Sequence, residues 1–247
     1  MIDLHCHLLP GVDDGAATEE IALEMARHLS AAGFRGIAAS PHMGAGPGGD
    51  VTSARSSAAR VDLAKALARE GTALDLFPNG EHHVTIELFE RLGTSEVIPI
   101  GGESHWLLIE MPWGGLADPE EILFRLQTKG YRLLLAHPER NDFLSLDVLE
   151  RLVDRGVRLQ LELGSFIGRY SGAAQQRAEA LVERGVAHVL ASDLHYPENA
   201  DRWLPAALQL ITSRYGRAAV DRGGRENPRH ILADAVPSDV LPMESIR

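Results

Sequence analysis

Short apolar runs recur along the chain, and amphipathic stretches fill the intervals between them. The runs are Ile2–Leu4, Gly36–Ser40, Ala73–Phe77, His105–Glu110, Tyr131–Ala136, Val157–Glu162 and Ala187–Ser192. Their length and apolar character predict buried strands. Thr18, followed by Glu19 and Glu20, predicts an N-capped helix running to near Gly33. Further helices are predicted over Ser53–Glu70, around Ile86–Leu92, from the cap Asp118 to Lys129, and over Leu146–Arg155, Ala173–Arg184 and Trp203–Tyr215. The tail from Gly216 is polar and contains proline, which predicts loose packing. Strand–helix alternation of this kind implies a parallel sheet. Without a dinucleotide-binding glycine fingerprint, about seven such units suggest a closed or nearly closed α/β barrel rather than an open sheet. The site of such a barrel lies where its strands end.

The strand ends carry the polar chemistry. The first strand runs into His5-Cys6-His7, where residues two apart face the same side. Two imidazoles are thereby offered to one metal, while Cys6 faces away. Asp13-Asp14-Gly15 follows in a turn. The other strands deliver His42, Glu81, Glu110, His137 and the pair Asp193/His195. The sixth strand offers no obvious ligand, although Glu162 lies close to its end. Nine nitrogen and oxygen donors exceed one metal's needs, so two or three ions are expected, with a carboxylate such as Glu81 bridging. Divalent ions of this kind suit hydrolysis. Arg140, three residues after His137, is a candidate phosphate ligand, with Arg202 second and Arg169 a weaker third. His28, His105, His188 and His230 read as structural or exposed. His82 and His83 lie nearer the site but also read as structural. The glycine-rich stretch Gly44 to Gly49 lacks the Lys-Ser/Thr of a P-loop and reads as a mobile lid or a plain linker.

Composition narrows the picture further. The 247 residues carry a formal net charge of -11, which disfavours nucleic acid as a partner. The length suits one large domain over 1–247, with a core of about 1–215 and a tail of about 216–247 on the barrel; two domains are the alternative. The single cysteine, Cys6, excludes a disulfide framework and reads as a small core residue. No apolar run is long enough to span a bilayer, and a strand occupies the position of a signal peptide, so a cytoplasmic location is expected.

His5-Cys-His7, Pro41-His42 and Asp193-Leu-His195 resemble the PHP (polymerase and histidinol phosphatase) domain. More narrowly, His5 through Leu9-Pro-Gly-Val-Asp-Asp-Gly15, Leu108-Ile-Glu110-Met-Pro112, Ala136-His-Pro-Glu-Arg140, Gly164-Ser-Phe and Ala191-Ser-Asp-Leu-His195 resemble the bacterial CpsB/CapC tyrosine-protein phosphatases. The likeness runs from residue 2 to about 235. It implies a distorted, TIM-like seven-stranded (β/α) barrel and three divalent ions, usually manganese, with iron, zinc or magnesium as alternatives. It further implies phosphotyrosine hydrolysis on a bacterial tyrosine kinase that governs exopolysaccharide or capsule export. One ion is assigned to His5, His7, Glu81 and Asp193, a second to Glu81, Glu110 and His137, and a third to Asp14, His42 and His195. Arg140 falls on the phosphate-holding arginine. The chain departs from the family at Met43, where a histidine is common, and in its glycine-rich loop.

Three rival readings carry weight. The nearest is a related phosphoesterase acting on a small phosphomonoester such as histidinol phosphate. A nuclease is disfavoured by the acidic surface. A non-catalytic, metal-binding regulator of a kinase is disfavoured by the complete donor set.

Overall fold

The computed structural model of the chain describes residues 1–46, 49–114 and 118–243. The order is β1 (Ile2–Cys6), α1 (Glu19–Ala31), β2 (Gly36–Ala39), β3 (Gly44–Gly46), β4 (Gly49–Val51), α2 (Ser53–Glu70), β5 (Asp75–Pro78), β6 (Glu81–His83) and α3 (Ile86–Arg91). It continues through β7 (Trp106–Glu110), α4 (Pro119–Thr128), β8 (Arg132–Ala136), α5 (Leu146–Asp154), β9 (Arg158–Glu162), α6 (Leu163–Phe166), α7 (Gly172–Glu183), β10 (Val189–Ala191) and α8 (Ala200–Tyr215). The helix caps follow the sequence: Thr18 and Asp118 accept from the backbone N–H groups of Ile21 and Glu121.

Two parallel sheets carry the architecture. One runs β1-β2-β5 and the other β10-β9-β8-β7-β6. No continuous ladder joins them. Single bridges do so at Cys6 with Leu194 and at His42 with Glu81. The expected third strand, Ala73–Phe77, is β5, and after Asn79-Gly80 a further short strand, β6, pairs with the other sheet, so the chain breaks there between the two sheets. The glycine-rich stretch forms an antiparallel hairpin, β3 with β4, and its tip at 47–48 lies outside the described residues.

Alternation along the strands sorts side chains into two layers. Leu107, Ile109, Leu133, Leu135, Leu159 and Leu161 join the large outer core beneath the helices. Leu4, Ala38, Trp106, Leu108, Leu134 and Val189 form a second, inner cluster. Toward the strand ends the inner positions turn polar, at Glu110, Gln160 and Glu162. In β1 the register shifts between Asp3 and Cys6, and Leu4 joins the inner cluster while Cys6 joins the outer one. This irregularity turns His5 and His7 toward the inner face.

The tail is not loose. It forms helices at Arg217–Asp221 and Asn227–Leu232, and Ile231 and Val240 close the inner cluster from below. Asn227 is fully buried and donates through Nδ2 to the carbonyls of His188 (2.7 Å) and Leu241 (2.6 Å). Trp106 Nε1 donates to Ala235 O at 2.9 Å. An inner cluster open at its lower end would meet water, and the tail removes that exposure. No described helix is long and apolar enough to cross a membrane.

Candidate active site

All nine donors expected from the sequence converge at the strand ends. Groups of three or four donor atoms within 4.8 Å of one another form at His5/His7/Glu81, His5/His137/Asp193, Glu81/Glu110/His137 and His7/Asp14/His42/His195. A fifth group, His42/His83/Glu110, brings in His83, which the sequence reading had set aside. Its Nδ1 lies 2.9 Å from Glu110 Oε2, and its ring stacks on His42 at 5.4 Å. His82, one residue earlier on the strand, turns away and places Nε2 3.2 Å from Ile98 O.

Glu81 lies at the centre. Its Oε2 is 3.3 Å from His5 Nε2, 3.4 Å from His7 Nε2 and 2.9 Å from His42 Nδ1, while Oε1 is 3.2 Å from His137 Nε2. Asp193 Oδ1 is 3.2 Å from His5 Nε2 and 3.3 Å from His7 Nε2. Yet Glu81 Oε2, Asp193 Oδ1, Glu110 Oε2, Asp14 Oδ1 and His42 Nδ1 are buried atoms without a hydrogen-bond partner. Donors about 2.1 Å from a common ion stand roughly 3.0–3.4 Å apart, which is the spacing seen between these atoms. Orphaned buried carboxylate oxygens cost several kcal/mol unless a cation answers them. The donor set therefore fits divalent metal ions.

The surrounding residues fix the imidazoles. His7 Nδ1 lies 2.6 Å from Asp13 Oδ2, and His5 Nδ1 lies 2.8 Å from Gln160 Oε1. Asp13 also accepts from the backbone N–H groups of Gly15 and His42. Gly15 is required by contact: a Cβ there would lie 2.2 Å from His7 O. His137 and Asp193 adopt left-handed backbone, with φ of 34° and 47°, and each stands just past its strand. Such conformations cost on the order of 1 kcal/mol each and turn a side chain off the strand direction into the site.

The electrostatics are those of a cation site. Burial opposes charge on Glu81, but His5, His137 and His42 hold its carboxyl well below the usual range. Burial likewise opposes charge on Asp193, which His5, His7 and His195 hold down. Burial disfavours protonated His7, yet Asp13, Asp193 and Glu81 raise it well above its ordinary value.

Arg140 joins this cluster through Glu162 Oε1 at 2.6 Å and Asp193 Oδ2 at 3.0 Å. Glu162, the residue at the end of the strand that offered no ligand, thus anchors the arginine. The guanidinium lies 4.2 Å from the Tyr170 ring centroid and 5.2 Å from that of Trp113. Arg177 clamps the loop beneath it, donating to the carbonyls of Pro138, Glu139, Asn141 and Leu144. A cleft of about 330 Å³ opens beside Arg140 and is lined by Arg169, Tyr170, His195, Tyr196, Glu198 and Trp203, among others. Arg202 does not reach it. Its side chain is exposed on α8, and the buried face of that turn belongs to Trp203. The second cation of the cleft is Arg169, stacked 4.5 Å over the Trp203 ring.

A family model for capsular polysaccharide synthesis, CpsB/CapC, matches residues 1–233. The tyrosine-protein phosphatase YwqE of Bacillus subtilis is 32% identical over 219 residues, covering 87% of this chain and 85% of that protein. The tyrosine-protein phosphatase CpsB of Streptococcus pneumoniae is 26% identical over 243 residues, covering 95% and 99%. A solved structure from work on YwqE and CpsB, described there as unique metal-dependent tyrosine phosphatases, matches with a TM-score of 0.87 at 29% identity and covers all of both chains. With a family match over nearly its whole length and this agreement in fold, the chain belongs to the CpsB/CapC family.

Proposed function

We propose that this chain is a metal-dependent tyrosine-protein phosphatase, a phosphoric monoester hydrolase, acting in the cytoplasm on a bacterial tyrosine kinase that controls capsule or exopolysaccharide export. The observation that carries the reading is the convergence of orphaned donors beside Arg140. The relatives named tyrosine-protein phosphatase support the substrate class. The fold we propose is a single seven-stranded barrel whose two sheets close through the bridges at Cys6 and His42.

Three divalent ions, with manganese first, would be held by His5/His7/Glu81/Asp193, Glu81/Glu110/His137 and Asp14/His42/His195. When bound, such ions supply Lewis-acid polarisation of phosphoryl oxygens and acidify water. The protein's own groups do the rest. Arg140 presents a planar fork of N–H donors to the phosphate and is held in place by Glu162 and by the Tyr170 ring. Asp13 and Gln160 keep the Nε2 atoms of His7 and His5 turned to the centre. Phenol, with a pKa near 10, leaves with less proton assistance than an aliphatic alcohol needs. Cys6 is excluded as a nucleophile by its burial, which also pushes its thiol well above the ordinary value.

The test is phosphate release by chelator-stripped protein resupplied with manganese. Release mainly from a phosphotyrosine peptide is expected. Preference for histidinol phosphate would transfer the same site to the small-phosphomonoester reading, and preference for a phosphoserine peptide would overturn the tyrosine assignment.

A further inference from the structure

We infer that Arg169 is a specificity-determining residue that binds a carboxylate beside the phosphotyrosine, so that the preferred substrate is an acidic phosphotyrosine peptide. The inference rests on the phosphatase reading above. Arg140 gives Nη1 to Glu162 and Asp193 and keeps the rest of its guanidinium for the phosphate. Arg169 shares the cleft but has no carboxylate within ion-pair distance among the described residues. Arg169 is exposed, and its guanidinium lies on the face of Trp203, itself only 7% exposed and packed into the core. A guanidinium stacked on a fixed ring loses less freedom on binding an anion than one on a free stem.

The position suits a neighbouring residue of a peptide. Arg169 adjoins Tyr170 in sequence, and the Tyr170 ring is the one against which Arg140 packs at 4.2 Å. Arg140 and Arg169 line one cleft, so a phosphotyrosine whose phosphate sits on Arg140 has its flanking residues at the exposed side of the cleft, where Arg169 stands. Glu198 lines the same cleft and opposes an acidic peptide, as does the net charge of -11. Against these charges, Arg169 is the cation of the cleft through which an acidic flank is preferred. Its contribution to binding is that of an exposed ion pair.

The experiment compares kcat/KM for two phosphotyrosine peptides, one with aspartates flanking the tyrosine and one with asparagines, using metal-loaded protein. A single-ring aryl phosphate, which has no flanking residues, serves as the control. Wild type should prefer the acidic peptide by about three- to fivefold. Arg169→Gln should abolish that preference, bringing the acidic and the asparagine peptide to the same kcat/KM relative to the aryl phosphate, and Arg169→Lys should keep part of it. Glu198→Gln should enlarge it. Equal kcat/KM for both peptides in wild type, or an undiminished preference in Arg169→Gln, would overturn the inference while the phosphatase reading stands. Absence of turnover on both peptides and on the aryl phosphate would overturn both.

Discussion

At the scale of single residues, the site is an arrangement of unmet valences. Five buried donor atoms lack hydrogen bonds although basic and acidic partners lie 2.9–3.4 Å from several of them. The clustered donors are legible in the sequence because all but Asp14 stand at or just past the end of an apolar run, and those ends meet at one rim. What supports them was not legible. Asp13, Gln160 and Glu162 gain meaning only from partners 6, 155 and 22 positions away. His83 escapes the sequence for a similar reason: the strand's alternation, not its composition, turns His82 to Ile98 O and sends His83 to the rim. Arg202 was preferred over Arg169 on spacing alone, whereas the helix turn gives the buried position to Trp203. Asp13 yields a direct prediction. Asp13→Asn removes the charge that orients His7, and metal affinity of stripped protein should fall about 10- to 100-fold in a calorimetric titration. Unchanged affinity would remove Asp13 from the site's support.

At the scale of elements, the strands and most helices follow from apolar periodicity, and the caps at Thr18 and Asp118 follow from residue type. Three features did not. The break after the third strand depends on Asn79, whose Oδ1 accepts from Gly80 N while its Nδ2 donates to Leu4 O, a contact 75 positions away. The β3–β4 hairpin was read as a loop because glycine carries no side-chain pattern. The tail reads as loose because few of its residues are apolar, yet Val220, Ile231, Val240 and Met243 are buried and its carbonyls accept from Arg158, Trp106 and Asn227. Asn227→Ala deletes three side-chain hydrogen bonds and strands the buried carbonyl of His188. Chemical denaturation should show a loss of about 2–4 kcal/mol. A loss below about 0.5 kcal/mol, the level of an ordinary surface change, would mean the tail does not seal the core.

At the scale of the whole molecule, the two ends of the strands have opposite tasks. The lower end is apolar and sealed by Ile231 and Val240, and the upper end is a rim of carboxylates and imidazoles. The core beneath fixes the rim, so the donors hold their spacing at the cost of leaving charge unanswered. The unanswered charge has one purpose: the cluster holds metal, and hydrolysis depends on it. The measurement that tests it most directly is a manganese titration of stripped protein that follows bound metal and phosphotyrosine-peptide turnover together, for wild type and Glu81→Gln. Wild type should gain turnover in step with loading up to three ions, and Glu81→Gln, which neutralises the carboxylate shared by the donor groups, should lose both bound metal and about a hundredfold in turnover. Full turnover in the metal-free protein, or unchanged loading and turnover in Glu81→Gln, would contradict the account.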